Sequence, residues 1–160
     1  MSIISLQSVL IHESHLEIST NLNEISRVLE WFKEFEANDL AADIIWKVRI
    51  ALIEGFTNAV RHAHKNEPES TPIVIDGFLF SEQLEIHIWD CGGAFDLAKL
   101  INTVEETYPN PEEHDAHWGG TIFRKLSLEH GWTIQYQCLK NSSLKNLMSD
   151  RNCLTIQIPF

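Results

Sequence analysis

The chain has 160 residues, with 12 Lys and Arg against 23 Asp and Glu, for a formal net charge of −11. That length suits one domain able to bury its own core, and the acidic balance argues against a protein that tracks nucleic-acid phosphates or an anionic membrane surface, since both need a basic stripe. Apolar residues make up 44% and charged residues 22%, ordinary globular usage that excludes wholesale disorder.

The first twenty residues include His12, Glu13 and Glu17 and lack a basic stretch ahead of an apolar run, so no signal peptide is read there. His15 to Ser19 reads as a short strand. From Asn23 the apolar residues Ile25, Val28, Leu29, Phe32 and Phe35 recur at helical spacing, which predicts an amphipathic helix to about Ala37. Asp39 is a candidate cap for a second helix running to about His64, with Ile45, Val48, Leu52, Ala59 and Ala63 on one face; at 1.5 Å per residue it would be roughly 39 Å long. Pro68 and Pro72 end it. Ile73 to Phe80 and Leu84 to Trp89 are rich in β-branched and aromatic residues around a polar Ser81-Glu82-Gln83 turn, the pattern of a hairpin.

Beyond the hairpin, Leu97 to about Thr107 reads as a helix, Tyr108 to His117 as a loop, and a further helix is expected from near Gly119 to just before Gly131. Trp132 to Leu139 and Cys153 to Ile158 read as two last strands joined by a polar loop. No stretch approaches the roughly 18 uninterrupted apolar residues of a membrane span. Cys91, Cys138 and Cys153 lack CxxC spacing, which fits neither a disulfide framework nor a zinc knuckle. The expectation is therefore a cytoplasmic protein with residues 1–160 in a single domain. Its class is α+β, a two-layer sandwich with helices on one face of a mixed, mostly antiparallel sheet.

Three places carry residue types suited to chemistry. On the second helix Glu54 and Asn58 stand four apart and so share a face, beside Gly55 and other small neighbours that permit close approach. Such a pair can hold a metal and activate a hydroxyl, and a solvated polar face is the plain alternative. After the hairpin comes Asp90, in the run Asp-Cys-Gly-Gly-Ala-Phe-Asp. A carboxylate there can accept a hydrogen bond from an exocyclic amine, as in adenine recognition, or it can simply cap a Gly-Gly turn. Finally, Gly119, Gly120 and Thr121 precede a helical run, and free N–H groups at a helix start make an anion site; a flexible loop is the alternative. GxxxxGK[ST] and GxGxxG are both absent. His62 with His64, and His114 with His117, do not give zinc-ligand spacing, so no zinc site is expected.

The order of these motifs resembles the GHKL ATPase superfamily of gyrase, histidine kinases and ninety-kilodalton heat-shock chaperones. It is most similar to the small bacterial anti-sigma factor serine kinases of partner-switching systems. Glu-Gly-Phe-Thr-Asn-Ala-Val-Arg-His-Ala-His-Lys-Asn, from Glu54, looks like that family's N box. The resemblance implies a GHKL (Bergerat-type) fold with Glu54 as general base, Asn58 as the Mg²⁺ ligand, and Arg61 and His62 beside the nucleotide. In the second box Asp90 would bind the adenine amino group, with Gly92 and Phe95 lining the pocket. Gly119, Gly120 and Thr121 would meet the phosphates, although His117 stands where the family pattern has glycine. The implied cofactors are ATP and Mg²⁺. The implied function is phosphorylation of a small anti-sigma-factor antagonist of the STAS type and sequestration of a sigma factor, with no direct nucleic-acid or membrane contact and a homodimer left open. The alternative is a nucleotide-binding or sequestering module with weak catalysis or none.

Overall fold

The computed structural model describes residues 8–93, 114–139 and 151–160. In chain order it comprises strand β1 (Leu10–Ser19), a 3₁₀ turn (Leu22–Glu24), helices α1 (Ile25–Glu36) and α2 (Ala42–Asn58), and a π-helical turn (Ala59–Ala63) continuing α2. There follow the hairpin β2 (Pro72–Phe80) and β3 (Gln83–Asp90), helix α3 (His114–His130), and strands β4 (Thr133–Leu139) and β5 (Arg151–Pro159). The sheet order is β1-β2-β3-β5-β4, and all four pairings are antiparallel.

Period-2 alternation decides which sheet face is covered. Strand β3 buries Leu84, Ile86, Ile88 and Asp90 while Glu85, His87 and Trp89 face the other way. Strand β5 buries Asn152, Leu154, Ile156 and Ile158 on the same side. Onto that face pack Val28, Phe32 and Phe35 of α1, Val48, Leu52 and Phe56 of α2, and Phe123 and Leu126 of α3. The result is the expected two-layer α+β architecture, with three helices on one face of a five-stranded sheet among the described residues. Both inward rows end in a polar residue, Asp90 and Asn152, and these two face each other in the strand register.

Gly55 sets how closely α2 crosses the sheet. A Cβ there would sit 2.6 Å from Ile88 Cδ1 and 3.1 Å from Leu154 Cδ2, so a larger residue would have to push these side-chain ends aside for the helix to lie on β3 and β5 at this distance. That crossing carries Asn58 and the π turn toward the end of β3.

Several expectations are corrected. Strand β1 starts at Leu10, five residues before His15, because it pairs with the whole of β2. Asp39 does not cap α2: it lies in the left-handed region (φ 59°), and the helix begins after Ala41 without a side-chain cap. The α-helical part of α2 stops at Asn58; its buried face includes Ala51 and Phe56 beyond the expected set, while Ala63 is only partly covered. Helix α3 begins at His114 and not near Gly119, and it ends where Gly131 takes φ 69°. The expected helix from Leu97 to Thr107 and the polar loop before β5 lie outside the described residues. Among the described residues no helix is long and apolar enough to cross a membrane.

Candidate functional site

Asp90 is 3% exposed at the end of β3, a central strand. A buried carboxylate requires donors, and the described residues supply three. Its Oδ1 accepts from the Gly92 N–H at 2.9 Å and from Asn152 Nδ2 at 2.8 Å, and its Oδ2 accepts from the Tyr136 hydroxyl at 2.8 Å. Asn152 Nδ2 also donates to the Gly92 carbonyl at 2.8 Å, tying β5 to the loop. Burial, and next the negative charge of Asp90, push the Tyr136 phenol far above its ordinary pKa, so it stays an O–H donor. An ionised carboxylate offers about four acceptor positions, and three described donors leave one on Oδ2 for an exocyclic amine. Tyr136 and Asn152 escaped the sequence reading. The signal for Asn152 was present in the alternation of β5, where a polar residue takes an inward position.

The loop after Asp90 rests on the end of the N-box helix. A Cβ at Gly92 would run into the backbone carbonyl of Ala63, a contact that no flexible side chain can relieve. At Gly93 no described atom comes within 4 Å of such a Cβ, so close approach requires glycine at the first of the pair only. Gly92→Ala should therefore lower stability by about 1–3 kcal/mol and weaken nucleotide binding, while Gly93→Ala leaves both near the parent. Thermal melts with and without ADP check the pair, and equal melting temperatures for the two variants would contradict the close-contact role.

His64 is 2% exposed and follows Ala63 directly. Its Nε2 accepts from the Cys91 N–H at 2.8 Å, which places the ring proton on Nδ1. Nδ1 in turn donates to Thr20 Oγ1 at 2.7 Å, and the Thr20 hydroxyl donates to the Thr71 carbonyl at 2.6 Å. Burial lowers the His64 pKa, against the opposing negative charges of Asp90 and Glu67. As pH falls through about 6.5 the unfolded chain takes up a proton that the folded chain refuses, so this residue's contribution to stability is lost on the acid side. Denaturant melts should show the parent losing stability relative to His64→Gln between pH 7.5 and pH 5; parallel profiles would count against a neutral buried imidazole.

Glu54 and Asn58 lie one turn apart on α2 and both are half-buried. Burial raises the Glu54 pKa, and the positive charge of Arg61 partly offsets this. Glu54 and Thr121 line one cleft of about 540 Å³ between α2 and α3, floored by Ile50, Ile53 and Ile122. The fold thus brings a residue of the first box beside one of the third. Arg61 and His62 are exposed on the π turn. Gly119, Gly120 and Thr121 depart from expectation: with α3 starting at His114 they sit beyond its first turn, where N–H groups bond back into the helix. Phe95 lies outside the described residues.

Among the described residues no group of three or more His, Cys, Asp or Glu could hold a metal. Asn58 is the residue that would hold a divalent ion through its side-chain oxygen, with phosphate and water supplying further ligands. Mg²⁺ is suited to this, since it keeps several waters and is bound through substrate phosphates.

A helix-borne Glu and Asn above a sheet whose central strand ends in a buried Asp, in a two-layer domain of this topology, define the class: an ATPase domain of the GHKL type, a fold that binds ATP. Residues 18–136 match the histidine kinase-like ATPase domain, and the chain belongs to that family. It is 42% identical over 67 residues to the serine-protein kinase RsbW of Oceanobacillus iheyensis, a match covering 41% of this chain and 40% of that one. It is 36% identical over 55 residues to the serine-protein kinase RsbW of Listeria monocytogenes, covering 34% of each. The chain thus spans two fifths or less of the length of these curated relatives. The catalytic domain of the histidine kinase ThkA, in a nucleotide-free form, has the same fold, with a TM-score of 0.51 at 18% identity over 93% of this chain and 97% of that one.

Proposed function

We propose that residues 1–160 form a single domain acting as an ATP-dependent serine-protein kinase of the partner-switching kind. It phosphorylates a small STAS-type antagonist in the cytoplasm and binds a sigma factor or similar regulator as its second partner. The observation that carries this reading is Glu54, a half-buried carboxylate with a raised pKa, on the wall of a cleft and one turn ahead of Asn58. A carboxylate made more basic by burial accepts a hydroxyl proton more readily. The partial identity to two serine-protein kinases supports the same reading.

Each residue then has a task. Asp90 accepts from the adenine amino group, and Gly92, seated against the Ala63 backbone, lines the pocket. Asn58 offers its side-chain oxygen to Mg²⁺, which when bound neutralises phosphate charge. Glu54 takes the proton from the acceptor serine as its oxygen bonds to the γ-phosphorus and ADP departs. Arg61 and His62 supply positive or hydrogen-bonding groups at the same end of the helix. Incubation with radiolabelled ATP, Mg²⁺ and a candidate antagonist tests the reading: label should appear on the antagonist's serine.

A second reading has its own support. Because α3 starts at His114, the N–H groups of Gly119, Gly120 and Thr121 lie within the helix and do not form an open cradle for phosphate. That arrangement suits a module which binds nucleotide and sequesters its partner without transfer. Nucleotide binding with no label on any antagonist would favour it.

A further inference from the structure

His64 has no part in the chemistry above, yet it joins three segments remote in sequence. These are the residue after β1, through Thr20, the turn before β2, through Thr71, and the first residue after Asp90, through the Cys91 amide. Its placement follows from the π turn. The His64 N–H donates to the Ala59 carbonyl, five residues back, and the wider turn changes the direction of every side chain beyond Asn58. Strand β3 ends at Asp90, so the Cys91 N–H has left the sheet ladder and takes its acceptor from the imidazole. One residue on, Gly92 packs on the Ala63 backbone. Ala63 and His64 therefore grip the Asp90–Gly92 segment at two points, one steric and one polar.

We propose that His64 is a positioning residue of the nucleotide site: its unprotonated Nε2 holds the Cys91 amide and so fixes where Asp90 and Gly92 are presented to the adenine base. This rests on the reading of Asp90 as the base-binding residue. A proton on Nε2 would set N–H against N–H and release the loop. Asp90 and Glu67 are the charged groups facing the ring, and both favour that proton; burial opposes it and wins. Thr20, Thr71 and Cys91 contribute only neutral partners.

Two substitutions separate the ring's two hydrogen bonds. Gln places an acceptor near the Nε2 position and does not titrate, whereas Asn reaches only the Nδ1 position and can still meet Thr20. At pH 7.5, His64→Asn should lose ADP affinity by about tenfold and lose hydrogen-exchange protection at the Cys91 amide, while His64→Gln keeps affinity within about twofold and keeps that protection. Rescue by Gln and not by Asn is what a general packing role would not give. On lowering the pH to 5, ADP affinity of the parent should fall relative to His64→Gln, the titration of the ligand itself cancelling in the ratio. An Asn variant that folds and binds ADP like the parent overturns the proposal. Should that variant not fold, a Gln variant with the same pH profile as the parent overturns it equally. If the parent takes no ADP, the reading of Asp90 fails and this role with it; if the parent binds and the Asn variant binds as well, only the role of His64 fails.

Discussion

Glu54→Gln should retain nucleotide binding and lose phosphoryl transfer by about 10²-fold or more, because the amide keeps the size and polarity of the side chain but cannot take the serine proton. The same substitution should leave the fold as stable as the parent or more so. The folded-state pKa of Glu54 is raised by burial, so its carboxylate is disfavoured by folding. The sign of the linkage follows: the stability it contributes is full at pH values below the unfolded pKa and is lost as pH rises through the folded pKa. Gln does not titrate, so its melting temperature should gain on the parent as pH rises from about 4 toward 8. Loss of transfer together with gain in neutral-pH stability is the signature of a functional carboxylate kept where packing does not favour it. Asn58→Ala gives the complementary pattern, with ADP binding that no longer responds to Mg²⁺. Transfer by Glu54→Gln at the parent rate would remove the assigned mechanism.

Much of the frame could be read from local pattern. The β-branched and aromatic runs from Ile73 to Trp89, divided by the polar Ser81-Glu82-Gln83 turn, locate both strands of the hairpin to within a residue or two. The apolar spacing of α1 does the same for a helix. What could not be read depends on partners distant in sequence. The extension of β1 to Leu10 comes from pairing with β2, which local composition does not encode. The π turn at Ala59–Ala63 leaves no mark in helical periodicity, yet it places His64 against Cys91. Glu54, Asn58 and Asp90 stood out as polar residues in apolar settings, whereas Tyr136 and His64 resembled ordinary aromatic and surface positions. The role of Tyr136 arises from strand order, which sets β5 beside β3 and β4 beyond it, and that of His64 from the π turn.

Asp90→Asn should cost ADP affinity by about 10²-fold and, more tellingly, should change which base is accepted. The carboxylate is acceptor-only, and its Oδ1 already serves Gly92 and Asn152. An Asn at 90 will keep its carbonyl oxygen toward those two donors, because the reverse orientation would set NH₂ against N–H twice. Its amide nitrogen then replaces Oδ2, beside the Tyr136 hydroxyl, which can rotate to accept from it. The fold should survive with a loss of about 1–3 kcal/mol, the three charge-assisted bonds having become neutral ones and that to Tyr136 having reversed its direction. Toward the base, however, the polarity is inverted: an N–H now meets the adenine amino group, and it can donate instead to a 6-oxo group. Inosine diphosphate carries that oxygen on an otherwise similar purine, so the ratio of ADP to IDP affinity should fall by about 10²-fold or more. Tyr136→Phe, which removes a donor to Oδ2 and leaves the acceptor in place, should weaken neither nucleotide selectively. Calorimetric titration of parent and both variants with the two nucleotides decides the matter, and an unchanged ADP to IDP ratio in Asp90→Asn would mean that Asp90 does not touch the base.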